Sequence, residues 1–153
     1  MKKKRTILLI EDNADHAELI RRGLAEHTAK AELVHLADGE RGLAYLTRRG
    51  KYKNPASSPR PGLILLDLRL PRIDGLQVLE RIKQEDDLKR IPVVILTTSE
   101  DNDDLGRAYD LHANSYLVKP VDFGAFAKLL RELGLYWLVE NRPPPEERPA
   151  AGA

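Results

Sequence analysis

The chain contains no cysteine, which excludes disulfides and thiol chemistry and fits a reducing compartment. Nor does it carry an excess of one charge: 25 Lys and Arg stand against 24 Asp and Glu, a formal net charge of +1. That balance leaves no electrostatic footprint for nucleic acid, and none is expected as a partner. No apolar run approaches the ~18 residues that span a bilayer, so no membrane association is expected. The basic flank "KKKR" at 2–5 leads straight into a short apolar run and an acidic cluster, not into a signal-peptide core. It is expected to be solvated, and the protein to be cytoplasmic. A glycine-rich phosphate loop is missing as well. The residues after the first apolar run are "EDNAD", which repel phosphate unless a metal intervenes.

What is present is a regular alternation. The 153 residues suit one domain, and 42% hydrophobic with 32% charged residues support a single core under a charged surface. Five short apolar runs recur: "TILLI" (6–10), "ELVHL" (32–36), "GLILLD" (62–67), "PVVILT" (92–97) and "SYLV" (115–118). Continuous apolar runs of this length suit strands buried on both faces, hence a parallel sheet. Helical patterns lie between them. Ala17, Ile20 and Leu24 share a face, as do Leu79 with Ile82 and Leu105 with Ala108, and a helix is expected over 40–49. The last pattern is the longest, with Phe123, Phe126, Leu130, Leu133 and Trp137 stepping by three or four. The segment 48–62, rich in Pro, Ser and basic residues, is expected to be a surface loop. "NRPPPEERPAAGA" (141–153) has no apolar face and is expected to be a disordered, Pro-rich tail beyond a folded domain at 1–140. The fold class is therefore α/β, a doubly wound five-stranded parallel sheet built from a fivefold βα repeat.

The strand ends carry the chemistry. Folds of this class bind ligands at the carboxyl edge of the sheet. There the first strand ends in Glu11-Asp12, the third in Asp67, the fourth in Thr97-Thr98 and the fifth in Lys119-Pro120. With strand order 2-1-3-4-5, three carboxylates share one small pocket. Such a group repels itself unless pKa values rise or a cation joins it. All-oxygen ligation suits Mg2+ or Mn2+ rather than Zn2+. Lys119 on the far side adds a second positive charge, and Thr97 adds a hydroxyl. Together they surround a place for three anionic oxygens, with Asp67 at the centre as the natural nucleophile for an aspartyl phosphate. The four His residues, 16, 27, 35 and 112, are not expected to cluster with any of this chemistry. A lone strand-end Asp is usually a cap or a turn former. It is the delivery of complementary groups by four strands to one edge that sets this one apart.

These same residues resemble a known family. "LLIEDN", "LILLDLRLPRIDG", "IPVVILTTS" and "ANSYLVKP", in order and at these separations, are similar to the response-regulator receiver domains, over residues 5 to about 138. The resemblance implies the flavodoxin-like receiver fold and a phosphoacceptor at Asp67. It implies Mg2+ (Mn2+ as the alternative) held by Asp12, Asp67 and the backbone carbonyl of Arg69, with Glu11 reaching the metal or its water. It also implies phosphoryl contacts from Thr97, Lys119 and the backbone N–H groups of Leu68 and Thr98. The phosphoryl group would come from a sensor histidine kinase or a small phosphodonor. The chain would not be an enzyme in the ordinary sense; it would catalyse only its own phosphorylation and dephosphorylation. The opening "ILLIEDNADHAELI", the long loop before strand three, "LTTS", "KPVD" and "YWL" further resemble single-domain regulators that partner bacterial and cyanobacterial phytochromes. Two residues depart from the commonest family pattern: Glu11, one methylene longer than the frequent Asp, and Arg69, often Asn. Arg69 is therefore expected to tune the rates.

The resemblance implies a switch in which Thr97 is drawn inward and Tyr116 follows, altering the face of helix four, strand five and the last helix. With no output domain in this chain, the signal is expected to leave by protein contact. A homodimer is expected through the last helix, where Leu129, Tyr136 and Leu138 project off the stripe that covers the sheet and Trp137 sits at its far end. Two other classes compete. A dehalogenase-type Mg2+-dependent phosphotransferase or phosphatase wants a second acid two residues after its nucleophile, where this chain has Arg69. A nucleotide- or flavin-binding module wants the phosphate loop that "EDNAD" replaces.

Overall fold

The computed structural model describes residues 5–145. Residues 2–4 of the basic flank and 146–153 of the expected tail lie outside the described residues. Strands β1 (Arg5–Ile10), β2 (Ala31–Leu36), β3 (Leu63–Leu66), β4 (Val93–Thr97) and β5 (Ser115–Val118) form one parallel sheet in the order β2-β1-β3-β4-β5. Helices α1 (Ala14–Gly23), α2 (Gly39–Leu46), α3 (Gly75–Gln84), α4 (Asn102–Asp110) and α5 (Phe123–Gly134) connect and follow them. The fivefold repeat and the strand order are those expected from the sequence.

Successive side chains of a strand point to opposite faces, and the apolar runs divide accordingly. Leu8, Ile10, Ile64, Leu66, Val93 and Ile95 face one way and pack with Leu43, Leu76, Leu79 and Ile82 of α2 and α3. Ile7, Leu9, Leu63, Leu65, Val94 and Leu96 face the other way and pack with Ala17, Ile20, Phe126, Leu130 and Leu133 of α1 and α5. Every side chain of β3 is buried, which is why no alternation of polar and apolar residues survives in its sequence.

Each helix starts on a side-chain cap: Asn13, Asp38, Asp74, Asp101 and Asp122 accept backbone N–H groups of the first turn. Asp74 and Gln77 form a full capping box, so the Asp-Gly pair is the helix start as well as a turn. α2 ends three residues earlier than expected. Arg48, just past its end, takes φ +55°, and the N–H of Arg49 returns to the carbonyl of Ala44 at 2.9 Å. The segment after it is more ordered than a plain loop. It winds two short 3-10 turns (Gly50–Tyr52 and Pro55–Ser57), and Ser58 is fully buried with its hydroxyl donating to the Tyr52 carbonyl at 2.9 Å.

The last helix departs furthest from expectation. Phe123, assigned to the sheet-covering stripe, is 64% exposed, and Leu138, assigned to the outward face, is buried. Phe123 opens the first turn of α5, and for Leu138 the cause is a change of winding. Leu135–Glu140 is a π-helix, and the N–H of Asn141 reaches the carbonyl of Tyr136, five residues back, at 2.6 Å. That pitch brings Leu138 inward five residues after Leu133 and turns Leu135, Tyr136 and Val139 to solvent. Leu129 and Trp137 are partly buried against the core. Leu105, expected on a buried face of α4, is exposed, and Ala108 is the buried residue of that helix.

Candidate functional site

Sheet register brings the strand-end groups together. Ile10 of β1 pairs with Leu66 of β3, so the next residues, Glu11 and Asp67, leave the sheet side by side. The N–H of Asp67 continues the ladder to the Ile10 carbonyl at 3.1 Å. Val118 of β5 pairs with Thr97 of β4, and the N–H of Lys119 donates to the Thr97 carbonyl at 2.7 Å. Glu11, Asp67, Thr97 and Lys119 are all buried, whereas Asp12 and Thr98 are exposed at the rim.

Lys119 does not stand on the far side of the pocket. Its Nζ donates to Glu11 Oε2 at 2.7 Å and to Asp67 Oδ2 at 2.9 Å, so it lies between the two buried carboxylates. A strand-end position tells where a lysine begins but not where its four-carbon stem ends. The opposite oxygen of each acid is also held. The Asn13 N–H donates to Glu11 Oε1 at 3.2 Å, and the Arg69 N–H donates to Asp67 Oδ1 at 3.1 Å.

The electrostatics separate the acids. Burial, and next the charge of Asp67, push Glu11 up to about 7. Burial also works against Asp67, but the charge and hydrogen bond of Lys119, with further hydrogen bonds from Glu11 and the Arg69 N–H, outweigh it and hold Asp67 below the usual carboxylate range. Asp67 is therefore ionised at neutral pH.

Carboxylate oxygens of Glu11, Asp12 and Asp67 lie within 4.8 Å of one another. Among the described residues, three acids against one lysine leave the pocket short of positive charge. An all-oxygen, anionic donor set of this kind fits a hard divalent cation such as Mg2+ or Mn2+.

Two histidines that sequence position kept apart from the pocket belong to it. His16, in the first turn of α1, places Nδ1 3.0 Å from Lys119 Nζ and 3.6 Å from Glu11 Oε1. His35 Nε2 lies 2.7 Å from the Glu11 carbonyl, so it donates there. The placement of His16 follows from the cap: Asn13 Oδ1 accepts from the N–H groups of Asp15 and His16, starting α1 immediately after Asp12 and folding its first turn over the pocket.

Arg69 does not lie free at the mouth of the pocket. Its guanidinium donates to Asp104 Oδ2 of α4 at 2.8 Å and reaches Ser99 Oγ at 3.5 Å, while Ser99 Oγ itself donates to Asp104 Oδ2 at 2.6 Å. Tyr116 is half-buried, and its hydroxyl donates to the Ser99 carbonyl at 3.0 Å. Ser99 and Asp104 carried no signal of their own in the sequence.

Gly75 sets the spacing behind the nucleophile. A Cβ there would run into the Asp67 carbonyl and come 2.6 Å from Leu68 Cα, and the Gly75 N–H donates to the Leu68 carbonyl at 3.0 Å. Only a residue without a side chain lets α3 start this close to the Asp67 backbone.

A doubly wound sheet with an acidic pocket and a lysine at the switch edge defines a class, and the chain belongs to the response regulator receiver domain family, whose model matches residues 7–131. Receiver domains are phosphoacceptors served by histidine kinases. The chain is 46% identical over 134 residues to the response regulator Rcp1 of Synechocystis sp., covering 88% of this chain and 89% of that one. The structure of the phosphorylated cyanobacterial phytochrome response regulator RcpA has a TM-score of 0.88 and 40% identity, covering 94% of this chain and all of that one. The Mn2+-bound form of Rcp1 has a TM-score of 0.87 and 44% identity, covering 92% and 99%. Among the described residues, no helix is long and apolar enough to cross a membrane.

Proposed function

We propose that Asp67 is the phosphoacceptor of this receiver and that it takes its phosphoryl group from a sensor histidine kinase, a phytochrome-type kinase being the first candidate. The observation that carries this reading is the buried Asp67 carboxylate, held ionised between Lys119 and the Arg69 N–H at the switch edge of the sheet. The kinship with a regulator named for a phytochrome supports the choice of donor. An Asp67 oxygen attacks phosphorus, the bond from phosphorus to the donor nitrogen breaks, and its electron pair leaves with the donor. Lys119 steadies the charge that gathers on the phosphoryl oxygens. The Thr97 hydroxyl and the N–H groups of Leu68 and Thr98 are assigned the remaining oxygens. Asp12, Asp67 and the Arg69 carbonyl, with Glu11 behind them, would hold Mg2+ or Mn2+, which when bound supplies charge neutralisation at the phosphoryl group.

Acetyl phosphate should therefore add one phosphoryl group when Mg2+ is supplied and none after chelation. Asp12→Ala should weaken Mg2+ binding more than Glu11→Ala, because Asp12 stands exposed at the rim with no direct tie to Lys119. Titration of each variant with Mg2+, read by calorimetry, checks this; an Asp12→Ala protein with wild-type affinity would remove Asp12 from the ligand set.

Arg69 is assigned a tuning role through its grip on α4. Arg69→Ala should still accept phosphate, since its backbone groups serve the pocket, but the phosphorylated form should decay at a changed rate. Loss of intact-mass signal with time after removal of acetyl phosphate measures it. An unaltered rate would reject the role.

The signal is assigned to the face of α4, β5 and α5, with Thr97 and Tyr116 as the switch pair. The same face extends to a homodimer contact, now centred on the exposed Leu135, Tyr136 and Val139 rather than on buried Leu138. Tyr136 is half-exposed, with Trp137 edge-on at 5.1 Å between ring centroids. Tyr136→Glu should yield a folded monomer with little change in thermal stability. Light scattering over a dilution series, with circular dichroism on the same samples, decides; a wild-type protein monomeric at every concentration ends the dimer reading.

A further inference from the structure

We infer that His16 is a positioning residue for the phosphoryl-transfer step: as a neutral imidazole it accepts the third hydrogen bond of Lys119 and keeps that donor in waiting for the phosphoryl group. The inference rests on the reading of Asp67 as the phosphoacceptor.

An ammonium has three N–H donors and no acceptor. Those of Lys119 are all spoken for, by Glu11 Oε2 at 2.7 Å, Asp67 Oδ2 at 2.9 Å and His16 Nδ1 at 3.0 Å. Because the lysine can only donate, Nδ1 must be the bare nitrogen and Nε2 must carry the hydrogen. Three fixed acceptors define one position for Nζ; two would leave it free to swing about the line joining the carboxylates. The side chain of Lys119 is 2% exposed, so solvent does not hold it in place.

When Asp67 takes up a phosphoryl group, negative charge moves outward and Lys119 must redirect a donor to a phosphoryl oxygen. The three present acceptors are not equally able to yield one. The Glu11 side chain is 1% exposed, so an oxygen left unpartnered there stays buried at a penalty. Asp67 carries the new group. His16 is uncharged and its side chain is 32% exposed, so water replaces Lys119 on Nδ1 with little loss. The third N–H therefore moves from His16 to the phosphoryl oxygen. The ring is itself braced: Phe126 of α5 stands edge-on with 6.2 Å between centroids, which fixes the direction of Nδ1.

The test uses the full chain. Two-dimensional 15N spectra of the imidazoles should show His16 with a bare, hydrogen-bonded Nδ1 in the free protein, and a shift of that nitrogen once beryllofluoride and Mg2+ are bound as a phosphoryl mimic. A protonated Nδ1 in the free protein overturns the inference. His16→Leu removes the acceptor at similar bulk and leaves Nζ unfixed, and phosphorylation by acetyl phosphate should slow by roughly tenfold through the lost positioning. His16→Asn restores an acceptor near the place of Nδ1 and should recover most of the rate. Wild-type speed in His16→Leu overturns the inference, and so does His16→Asn as slow as His16→Leu, which would make the role one of packing. Should the wild-type protein itself gain no phosphoryl group, the phosphoacceptor reading fails and this role falls with it; the variant results, by contrast, condemn His16 alone.

Discussion

Asp67→Asn should take up no phosphoryl group from acetyl phosphate with Mg2+ present, while remaining folded. The amide has no ionised oxygen to attack phosphorus, and among the described residues no other acid is placed as Asp67 is. Glu11 is buried and pushed up to about 7, so at neutral pH it is only partly ionised. Asp12 is exposed and carries no tie to Lys119 among the described contacts. The fold should survive because the side chain keeps its volume and one oxygen, although the Asn amide turns an N–H toward either Lys119 or the Arg69 N–H. That mismatch should lower stability by about 1–3 kcal/mol. Intact mass reports the phosphoryl group and chemical unfolding reports the cost. A variant that gains the group with wild-type yield would move the acceptor to another residue and dismantle the site.

Lys119→Met should be the most destabilising single change in the pocket. It removes the one ammonium that Glu11 and Asp67 share, leaving two buried carboxylates without a counter-charge. Breaking a buried pair in this way costs about 3–5 kcal/mol. The loss should depend on pH. Asp67, whose pKa in the folded protein is depressed by Lys119, contributes stability above its ordinary value of 3.8 that is lost as pH falls through the lowered value. Glu11, raised from 4.5 to about 7, works in the opposite sense: its contribution becomes unfavourable as pH rises between those values. Without Lys119 the first term disappears and the second grows. The gap between variant and wild type should therefore be widest at about pH 8 and narrow toward about pH 5, where the acids can take up protons. Saturating Mg2+ should raise the melting temperature of the variant more than that of the wild type, since the cation offsets the same charge. Denaturant unfolding at the two pH values, with and without Mg2+, measures all of this. A variant as stable as wild type at high pH would show that Lys119 is not the counter-charge.

Much of this pocket could be read before the fold was known, for a physical reason. In a parallel sheet a residue at a strand end is placed by the backbone, and β1, β3, β4 and β5 each end in a polar or charged group. Glu11, Asp12, Asp67, Thr97 and Lys119 were therefore brought together by strand order alone. What could not be read depends on side-chain reach and helix phase. Lys119 sits between the acids because its stem runs back across the edge. His16 reaches the same ammonium because the Asn13 cap fixes where α1 begins. Arg69 was legible as a departure from the family pattern, yet its partner on α4, Asp104, lies 35 residues away in sequence. The inward turn of Leu138 escapes a sequence reading because a 3.6-residue period does not hold through a segment that winds as a π-helix.

The thin packing of α4 has a consequence for how the molecule breathes. This helix buries only Ala108, whereas α3 and α5 each bury at least four residues. Its anchorage comes largely from polar ties at its first turn, Asp104 to Arg69 and to Ser99. A helix held by so little apolar contact opens locally at a small fraction of the free energy needed to unfold the whole domain. Its amide hydrogens should exchange ahead of those in α3 and α5. Because Arg69 stands two residues from Asp67, any change in charge there alters the lifetime of the closed helix, so the exchange rate of α4 becomes a remote meter of the pocket.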